Sequence, residues 1–318
     1  MRTLVTGAAG FVGSHLCEAL LTRGDVVVGV DCFTPYYDRA MKDSNLVSVR
    51  ECAGRLGVAL EFVEADLVET DLVGLLDGVD VVFHQAAQPG VRLSWADGFA
   101  TYARHNVLAT QKLLEAARLQ PAPPRIVYAS SSSVYGNQVR YPTVETDLPG
   151  PHSPYGVTKL AAEHLCGLYS ANYGLSTVAL RYFTVFGPRQ RPDMSMHRMC
   201  EAALSGSAFP RFGDGSQIRE FTYVADIVRA NVAAALADVA PATVVNIAGG
   251  GEITLNALIE LAGELAGTTI AIDQQPSQPG DARRNGGATD RARALLGWSP
   301  QVTLRDGLSA QLDWHRTR

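Results

Sequence analysis

Cysteine is sparse and unpatterned in this 318-residue chain: Cys17, Cys32, Cys52, Cys166 and Cys200 are scattered, with no C-x-x-C pair. An odd, dispersed set argues for reduced thiols and a cytoplasmic protein. No apolar stretch approaches the ~20 residues that a membrane helix needs. The first apolar run is broken by three glycines, which is not the pattern of a signal peptide. Basic charge is also short, with 27 Lys and Arg against 32 Asp and Glu and a net charge of −5. That balance excludes a general attraction to nucleic acid or anionic membrane, so the phosphates of a small ligand must be met by local arginines. No internal repeat or low-complexity segment is visible. What remains is 47% hydrophobic and 19% charged, an ordinary soluble globular composition. The length suffices for one large or two modest domains.

The stretch Leu4–Asp31 organises the rest. A short apolar run meets Gly7, Gly10 and Gly13, an amphipathic segment follows (Leu16, Ala19, Leu20), and a second apolar run, Val26 to Val30, ends on Asp31. This predicts strand, glycine turn, helix and strand. Glycine lacks a Cβ, so such a turn can bend tightly and admit a pyrophosphate to the backbone. The helix start at Phe11 and Val12 offers free N–H groups and the positive end of the helix dipole. Asp31 can accept both hydroxyls of an adenosine ribose and repel a 2′-phosphate, which favours NAD over NADP. A glycine turn alone is weak evidence. Here strand, spacing, helix and terminal acid occur together.

Further apolar runs end in candidate cofactor contacts. Leu60–Leu67 places Asp66 and Leu67 at a strand end, where Asp66 can accept from an adenine amino group or cap a helix. Asp80–Gln88 ends in Ala86 and Ala87, small enough for close packing on a dinucleotide, followed by Gln88 and the loop carrying Arg92. His84 in that strand is read as a satisfied structural histidine. A helix is expected over Leu46–Leu56 and another over Asn106–Arg118, with Asn106 hydrogen-bonding beneath the site or serving as a cap. Arg125–Ala129 and Leu175–Tyr182 complete an alternation of strands and helices, which predicts an α/β, doubly wound parallel sheet. After Arg181 the character changes, with arginines, prolines and short helices over Leu255–Ala266 and Asp290–Leu296. The expected division is a nucleotide-binding domain of residues 1–182 plus about 215–249, and a smaller C-terminal substrate-binding domain of about 183–214 plus 250–318.

Tyr155 and Lys159 stand at i and i+4, on one helix face. A phenol is a poor base near neutrality. An adjacent ammonium and a nicotinium ring favour the phenolate. Tyr155 can then take a proton from a substrate hydroxyl while hydride leaves the same carbon, and Lys159 can bond the nicotinamide ribose. A serine of the Ser130–Ser133 cluster would orient the substrate oxygen.

On these residues the chain is identified as a member of the extended short-chain dehydrogenase/reductases that modify nucleotide sugars. Its glycine spacing, G-x-x-G-x-x-G, and its Tyr-x-x-x-Lys are similar to that family's. The resemblance implies a Rossmann-type fold with bound NAD and Ser131 as the catalytic serine, three residues before the Val of Val134-Tyr135-Gly136. It also implies Tyr182 near the nicotinamide and a cytoplasmic homodimer. Sugar dehydratases of the family carry an Asp-Glu pair, and decarboxylating relatives a Glu, where this chain has Ser132 and Ser133. The segment Arg181–Met194, the loop Gln88–Arg92 and the pair Tyr36-Tyr37 resemble the UDP-glucuronate 4-epimerases, and galactose-type epimerases have Asn where Thr184 stands.

The reading that follows is reversible oxidation at sugar C4, interconverting UDP-glucuronate and UDP-galacturonate. Alternatives are epimerisation of a neutral or N-acetylated UDP-hexose, and an NAD-sensing binding protein without turnover. Ser132, Ser133 and Thr184 supply hydroxyl donors for a sugar carboxylate, and Arg191 and Arg219 a clamp for the diphosphate. Arg92 and Arg211 are further substrate contacts, and Asp281 would meet the uridine ribose. No metal is expected. The tail departs from the family's Gly-Asp-Val pattern, with Gly280-Asp281-Ala282 followed by Asn285, Gly286, Gly287 and Ala288.

Overall fold

The computed structural model describes residues 1–276 and 284–318. Seven strands build the main sheet: β1 (Arg2–Thr6), β2 (Val26–Asp31), β3 (Leu60–Glu64), β4 (Val81–His84), β5 (Arg125–Ser131), β6 (Thr177–Tyr182) and, after three strands outside it, β10 (Thr243–Ile247). Their order is β10-β6-β5-β4-β1-β2-β3, and each neighbouring pair is parallel. The chain winds outward in one direction from β1 to β3 and in the other from β4, so the order reverses between β1 and β4. Ligands of open α/β sheets bind at that reversal, beyond the carboxyl ends of the strands.

The strands read as nearly unbroken apolar runs because both sheet faces are covered. Successive side chains point to opposite faces. Val5, Phe83, Val127, Leu180 and Val245 meet Leu16 and Leu20 of α1 (Phe11–Thr22), Val49 of α2 (Arg39–Leu56) and Ile227 of the helix Val224–Leu236. Leu4, Val28, Val82, Ile126 and Tyr128 meet Leu72 of α3 (Leu72–Leu75) on the other face. Beyond α4 (Phe99–Tyr102), Leu113 and Leu114 of α5 (Ala109–Arg118) and Ala162 and Tyr169 of α6 (Pro154–Tyr173) pack on that same face.

A third apolar cluster lies apart from the sheet. It joins Phe186 of β7 (Thr184–Phe186), Met196 and Met199 of α7 (Ser195–Ser205), Phe209 of β8 (Phe209–Phe212) and Phe221 of β9 (Ile218–Tyr223). After α8 (Val224–Leu236) and β11 (Glu252–Thr254), it also takes in Leu258 of α9 (Leu255–Ala266). β9 pairs with β7, with β11 and with β13 (Arg284–Asn285), and β8 pairs with β12 (Ile272–Gln275). Two C-terminal helices follow. α10 (Asp290–Leu296) sends Ala292 and Leu296, with Trp298, back onto the main sheet, while α11 (Leu304–Arg316) gives Leu308 and Leu312 to the third cluster.

Several boundaries differ from the sequence expectation. α2 begins at Arg39 rather than near Leu46, because the Asp38 carboxylate accepts from the Ala40 N–H and caps a polar first turn. The helix expected from Asn106 begins earlier, at Phe99, and passes through a π-helical turn over Ala103–Leu108 before α5. α7 and α11 were not anticipated. Their polar faces are rich in Arg, Ser and Gln, which hides the apolar stripe.

Candidate active site

The residues beyond the carboxyl ends of β1, β2, β4 and β5 line a cavity of about 420 Å³. At one end is the glycine turn. The Gly7 and Ala8 N–H groups both donate to the Val30 carbonyl, at 2.7 and 3.1 Å, pinning the turn to β2. Gly7 holds a φ of +71°, and a Cβ there would lie 2.9 Å from the Ala86 nitrogen. A Cβ on Gly13 would lie 2.0 Å from the Gly7 carbonyl oxygen. Both glycines are therefore sterically required. The start of α1 carries no side-chain cap, and Gly10, Phe11, Val12 and Gly13 all line the cavity. Uncapped N–H groups at a helix start facing a cavity fit the pyrophosphate of a dinucleotide.

Asp31 is buried and more engaged than its sequence position suggested. Its carboxylate accepts from the Ala9 N–H at 3.2 Å, the Phe33 N–H at 2.8 Å and the Lys42 ammonium at 3.1 Å. The Asp31–Lys42 pair offsets the charge that was expected to repel a 2′-phosphate, and both residues line the cavity. Asp66 accepts from the Val68 N–H at 2.8 Å and from Arg104 at 2.9 Å, and it lines the cavity with Leu67, Ala86 and Ala87. His84 lies between the Thr6 and Thr110 hydroxyls, at 2.8 and 3.0 Å, and burial pushes its pKa down to about 3. It is a neutral structural histidine.

The reactive groups meet at the middle of the cavity. Ser153 caps α6 by accepting from the Gly156 N–H, and Pro154 occupies the first turn, so Tyr155 enters the helix facing the cavity. Lys159 lies one turn on. Ser131 ends β5, and its hydroxyl accepts from the Ser133 N–H at 3.1 Å. Burial raises the Tyr155 phenol pKa, while a hydrogen bond from Ser131 and the Arg191 charge pull it back. Burial lowers the Lys159 ammonium pKa to about 7; its Nζ stands 4.8 Å over the Tyr128 ring. The expected lowering of the phenol pKa includes the positive charge of a bound nicotinium ring. The protein groups around the phenol push it up, because desolvation outweighs the two favourable contacts. Tyr182 also lines the cavity, hydrogen-bonded to Gln85 at 3.1 Å and to Asn231 at 2.9 Å.

The remaining wall carries Ser132, Ser133, Thr184, Arg191 and Asn285. Arg191 grips Asp193 through both carboxylate oxygens, at 3.0 and 3.1 Å, and Tyr36 donates to the same carboxylate at 3.1 Å. Asn285 donates to the Ser132 hydroxyl at 3.3 Å. Among the described residues, the only acids lining the cavity are Asp31 and Asp66.

Gln88, Asn106, Arg92, Arg211 and Arg219 do not line the cavity. Asn106 lies beneath it: its carbonyl oxygen accepts from the Gln88 N–H, and its amide donates to the Gln88 carbonyl and to the Thr158 hydroxyl of α6. The Arg92 guanidinium lies 4.5 Å over the Phe212 ring. Arg211 donates to Gln274 and Asn256. Arg219 stands in β9, in register with Asn285. Asp281 lies outside the described residues. Sequence reasoning missed Lys42 and Asn285 as cavity residues. Lys42 had a signal, since it follows the Tyr36-Tyr37 pair on the first turn of α2. Asn285 had none, because it reaches Ser132 through strand pairing 153 residues away.

The fold and the cavity define an α/β protein in which Ser131, Tyr155 and Lys159 line one cavity with a glycine turn that fits a dinucleotide. Residues 3–248 match the model of the NAD dependent epimerase/dehydratase family. The chain belongs to this family, and NAD is its cofactor. It is 40% identical over 316 residues, 98% of this chain and 97% of the relative, to the uncharacterized UDP-glucose epimerase YtcB of Bacillus subtilis. It is 32% identical over 334 residues, 99% and 97% of the two chains, to a probable UDP-glucuronate 4-epimerase of Rhizobium meliloti. The crystal structure of UDP-glucuronic acid 4-epimerase from Bacillus cereus with UDP-glucuronic acid and NAD superposes with a TM-score of 0.93 at 41% identity, covering 100% of this chain and 99% of that one.

Proposed function

We propose that the protein interconverts UDP-glucuronate and UDP-galacturonate by transient oxidation at sugar C4. The observation that carries this reading is the chemistry of the cavity wall beside Tyr155. Among the described residues, Ser132, Ser133, Thr184 and Asn285 offer neutral donors, and the two lining acids, Asp31 and Asp66, belong to the glycine-turn end. A sugar carboxylate placed there meets hydroxyl and amide donors and, among the described residues, no like charge. Elimination of water would need an added acid and base, and the described residues of that wall supply neither.

When bound, NAD would supply the acceptor, and then the donor, of the C4 hydride, with either face of the sugar ring turned to it. The protein's part is to hold and move a proton. Tyr155 takes the proton of the C4 hydroxyl and gives it back. The Ser131 hydroxyl hydrogen-bonds the same oxygen and steadies the charge that develops on it. Lys159, buried with its ammonium over the Tyr128 ring, supplies positive charge to the phenolate and a donor to the cofactor ribose. Gly7, Gly10, Gly13, Phe11 and Val12 hold the pyrophosphate, Asp31 and Lys42 the adenosine ribose, and Asp66, Leu67, Ala86 and Ala87 the adenine side. Arg191, held in place by Asp193, takes the substrate diphosphate, and Arg219 flanks it.

A β-keto acid forms when C4 of a glucuronate is oxidised, and it loses CO₂ when its carboxylate aligns with the carbonyl π system. Hydrogen bonds from Ser132, Ser133 and Thr184 hold the charge on the carboxylate oxygens and keep the bond out of that alignment. The packing also supports the two-part division of the chain, because residues 186–209 and 258–312, joined by Phe221 of β9, contribute a cluster separate from the sheet. The Ala292–Trp298 segment is the exception and belongs with the sheet. A homodimer working in the cytoplasm is part of the proposal. Val157 and Leu168, eleven residues apart on α6, and Leu108 and Leu119, eleven apart across α5, leave apolar side chains exposed on two adjoining helices. Among the described residues no helix is long and apolar enough to cross a membrane.

A second reading, epimerisation of a neutral UDP-hexose, is favoured by the similarity to YtcB. Incubation with UDP-glucuronate and NMR of the product decides between them: UDP-galacturonate supports the first reading. No product from UDP-glucuronate, with UDP-galactose formed from UDP-glucose, replaces it with the second.

A further inference from the structure

Away from the cavity, three side chains with metal-ligating atoms converge at the junction of α7 and α11. His197 and Glu201 lie one turn apart on α7, and His315 comes from the last turn of α11. One ligand atom from each lies within 4.8 Å of the other two. The His197 ring is fully buried, and its Nδ1 lies 2.6 Å from the Gln190 carbonyl oxygen, which can only accept. That contact fixes the proton on Nδ1 and leaves a lone pair on Nε2. Nε2 faces the Glu201 carboxylate at 3.0 Å, so in a neutral ring two acceptors face each other. Among the described residues the His315 Nε2 finds no hydrogen-bond partner, so it is free to turn a lone pair to the same point. The two imidazole centroids are 4.5 Å apart.

We propose that His197, Glu201 and His315 bind a divalent transition-metal ion, zinc by preference. Two imidazoles and one carboxylate are the ligand set of a three-ligand zinc site, with water in the fourth position. The Gln190 carbonyl orients the first imidazole, as an outer-shell acceptor does for metal-bound histidine. Ligand atoms about 2.1 Å from a tetrahedral ion lie roughly 3.4 Å apart, so the cluster must contract slightly. Glu201 is half exposed, and its side chain can move that far. The site lies outside the catalytic cavity but beside its scaffold. The Gln190 side chain accepts from Gln311 at 2.9 Å, and Gln311 accepts from the Gly187 N–H at 2.9 Å, which ties α11 to the segment that leads into Arg191.

Trp314 provides the readout, with its ring 4.8 Å from His315 and 6.1 Å from His197. Tag-free, NAD-loaded protein, stripped of metal by a chelator and exchanged out of it, is titrated with ZnCl₂ by calorimetry. A parallel titration with CoCl₂ is followed by visible absorption and tryptophan fluorescence. The expected result is one equivalent of Zn²⁺, a tetrahedral Co²⁺ absorption band, and quenching that is lost in Trp314→Phe. Because His197 is buried and its replacement threatens the fold, the variants are His315→Ala and Glu201→Gln. Each is expected to weaken Zn²⁺ binding by about tenfold or more and to leave epimerase turnover intact. Zero stoichiometry in the wild-type protein would overturn the proposal, as would unchanged affinity in both variants.

Discussion

The two ends of the cavity are built in different ways. The cofactor end is made by the backbone: glycines that cannot carry a Cβ, an uncapped helix start, and N–H groups pinned to the next strand, all within residues 4 to 31. The sugar end is made by side chains that arrive from far apart. Ser132 follows β5, Thr184 begins β7, Arg191 lies on the connection to α7, and Asn285 comes from β13. A backbone site tolerates little change and serves one ligand. A side-chain wall can be re-faceted without disturbing the sheet, which is how one family handles many sugars.

Tyr155 belongs to both ends, and its loss should have the largest effect. Tyr155→Phe removes the proton transfer and leaves the walls standing. Turnover should fall by about 10²- to 10⁴-fold with UDP-sugar affinity nearly unchanged, as read from kcat and from calorimetry. Retained turnover would remove Tyr155 from the chemistry.

The sugar end can be broken separately. Changing Ser132, Ser133 and Thr184 together to Ala removes three hydrogen bonds, each worth about 1 kcal/mol. UDP-glucuronate should then bind roughly 100-fold more weakly, and the share of 4-keto-pentose and NADH among the products should rise. Unchanged affinity and partition would detach these hydroxyls from a carboxylate.

The cofactor end sharpens the comparison through one charge. Asp31→Asn frees Lys42 from its carboxylate partner, and a 2′-phosphate would then meet a cation. The NAD⁺ over NADP⁺ affinity ratio should fall by about tenfold, equivalent to roughly 1.4 kcal/mol. An unaltered ratio would place the selectivity elsewhere.

The smallest effect concerns Lys159. Its pKa falls from 10.5 to about 7 on burial, so between those pH values the folded chain binds fewer protons than the unfolded one. The contribution of this group to stability therefore rises with pH across that window, and its burial cost is fully present below pH 7. In cofactor-free protein, Lys159→Met should melt higher than wild type at pH 6, and the gap should close toward pH 10. A gap independent of pH would show that Lys159 is not desolvated.

The same contrast explains what the sequence discloses. The seven-stranded sheet and the Gly7–Asp31 turn were legible because their signals are local: apolar runs, glycine spacing and a terminal acid. Tyr155 and Lys159 were legible because helix periodicity places them on one face. The Asp31–Lys42 pair, the Arg191–Asp193–Tyr36 set and the Asn285–Ser132 contact were not, since each depends on how separate elements dock. The desolvation of Tyr155 was hidden for a related reason. Sequence shows the neighbouring charge but not the burial that opposes it in the cofactor-free chain. The helices α7 and α11 escaped notice because their apolar stripes lie among polar residues, and with them went the His197, Glu201 and His315 cluster.

The central claim is that the hydroxyl-lined wall selects an acidic sugar. Equimolar UDP-glucuronate and UDP-glucose, supplied together to the NAD-loaded enzyme and followed by NMR, test it most directly. UDP-galacturonate accumulating well ahead of UDP-galactose is the predicted result, and UDP-galactose appearing first would contradict it.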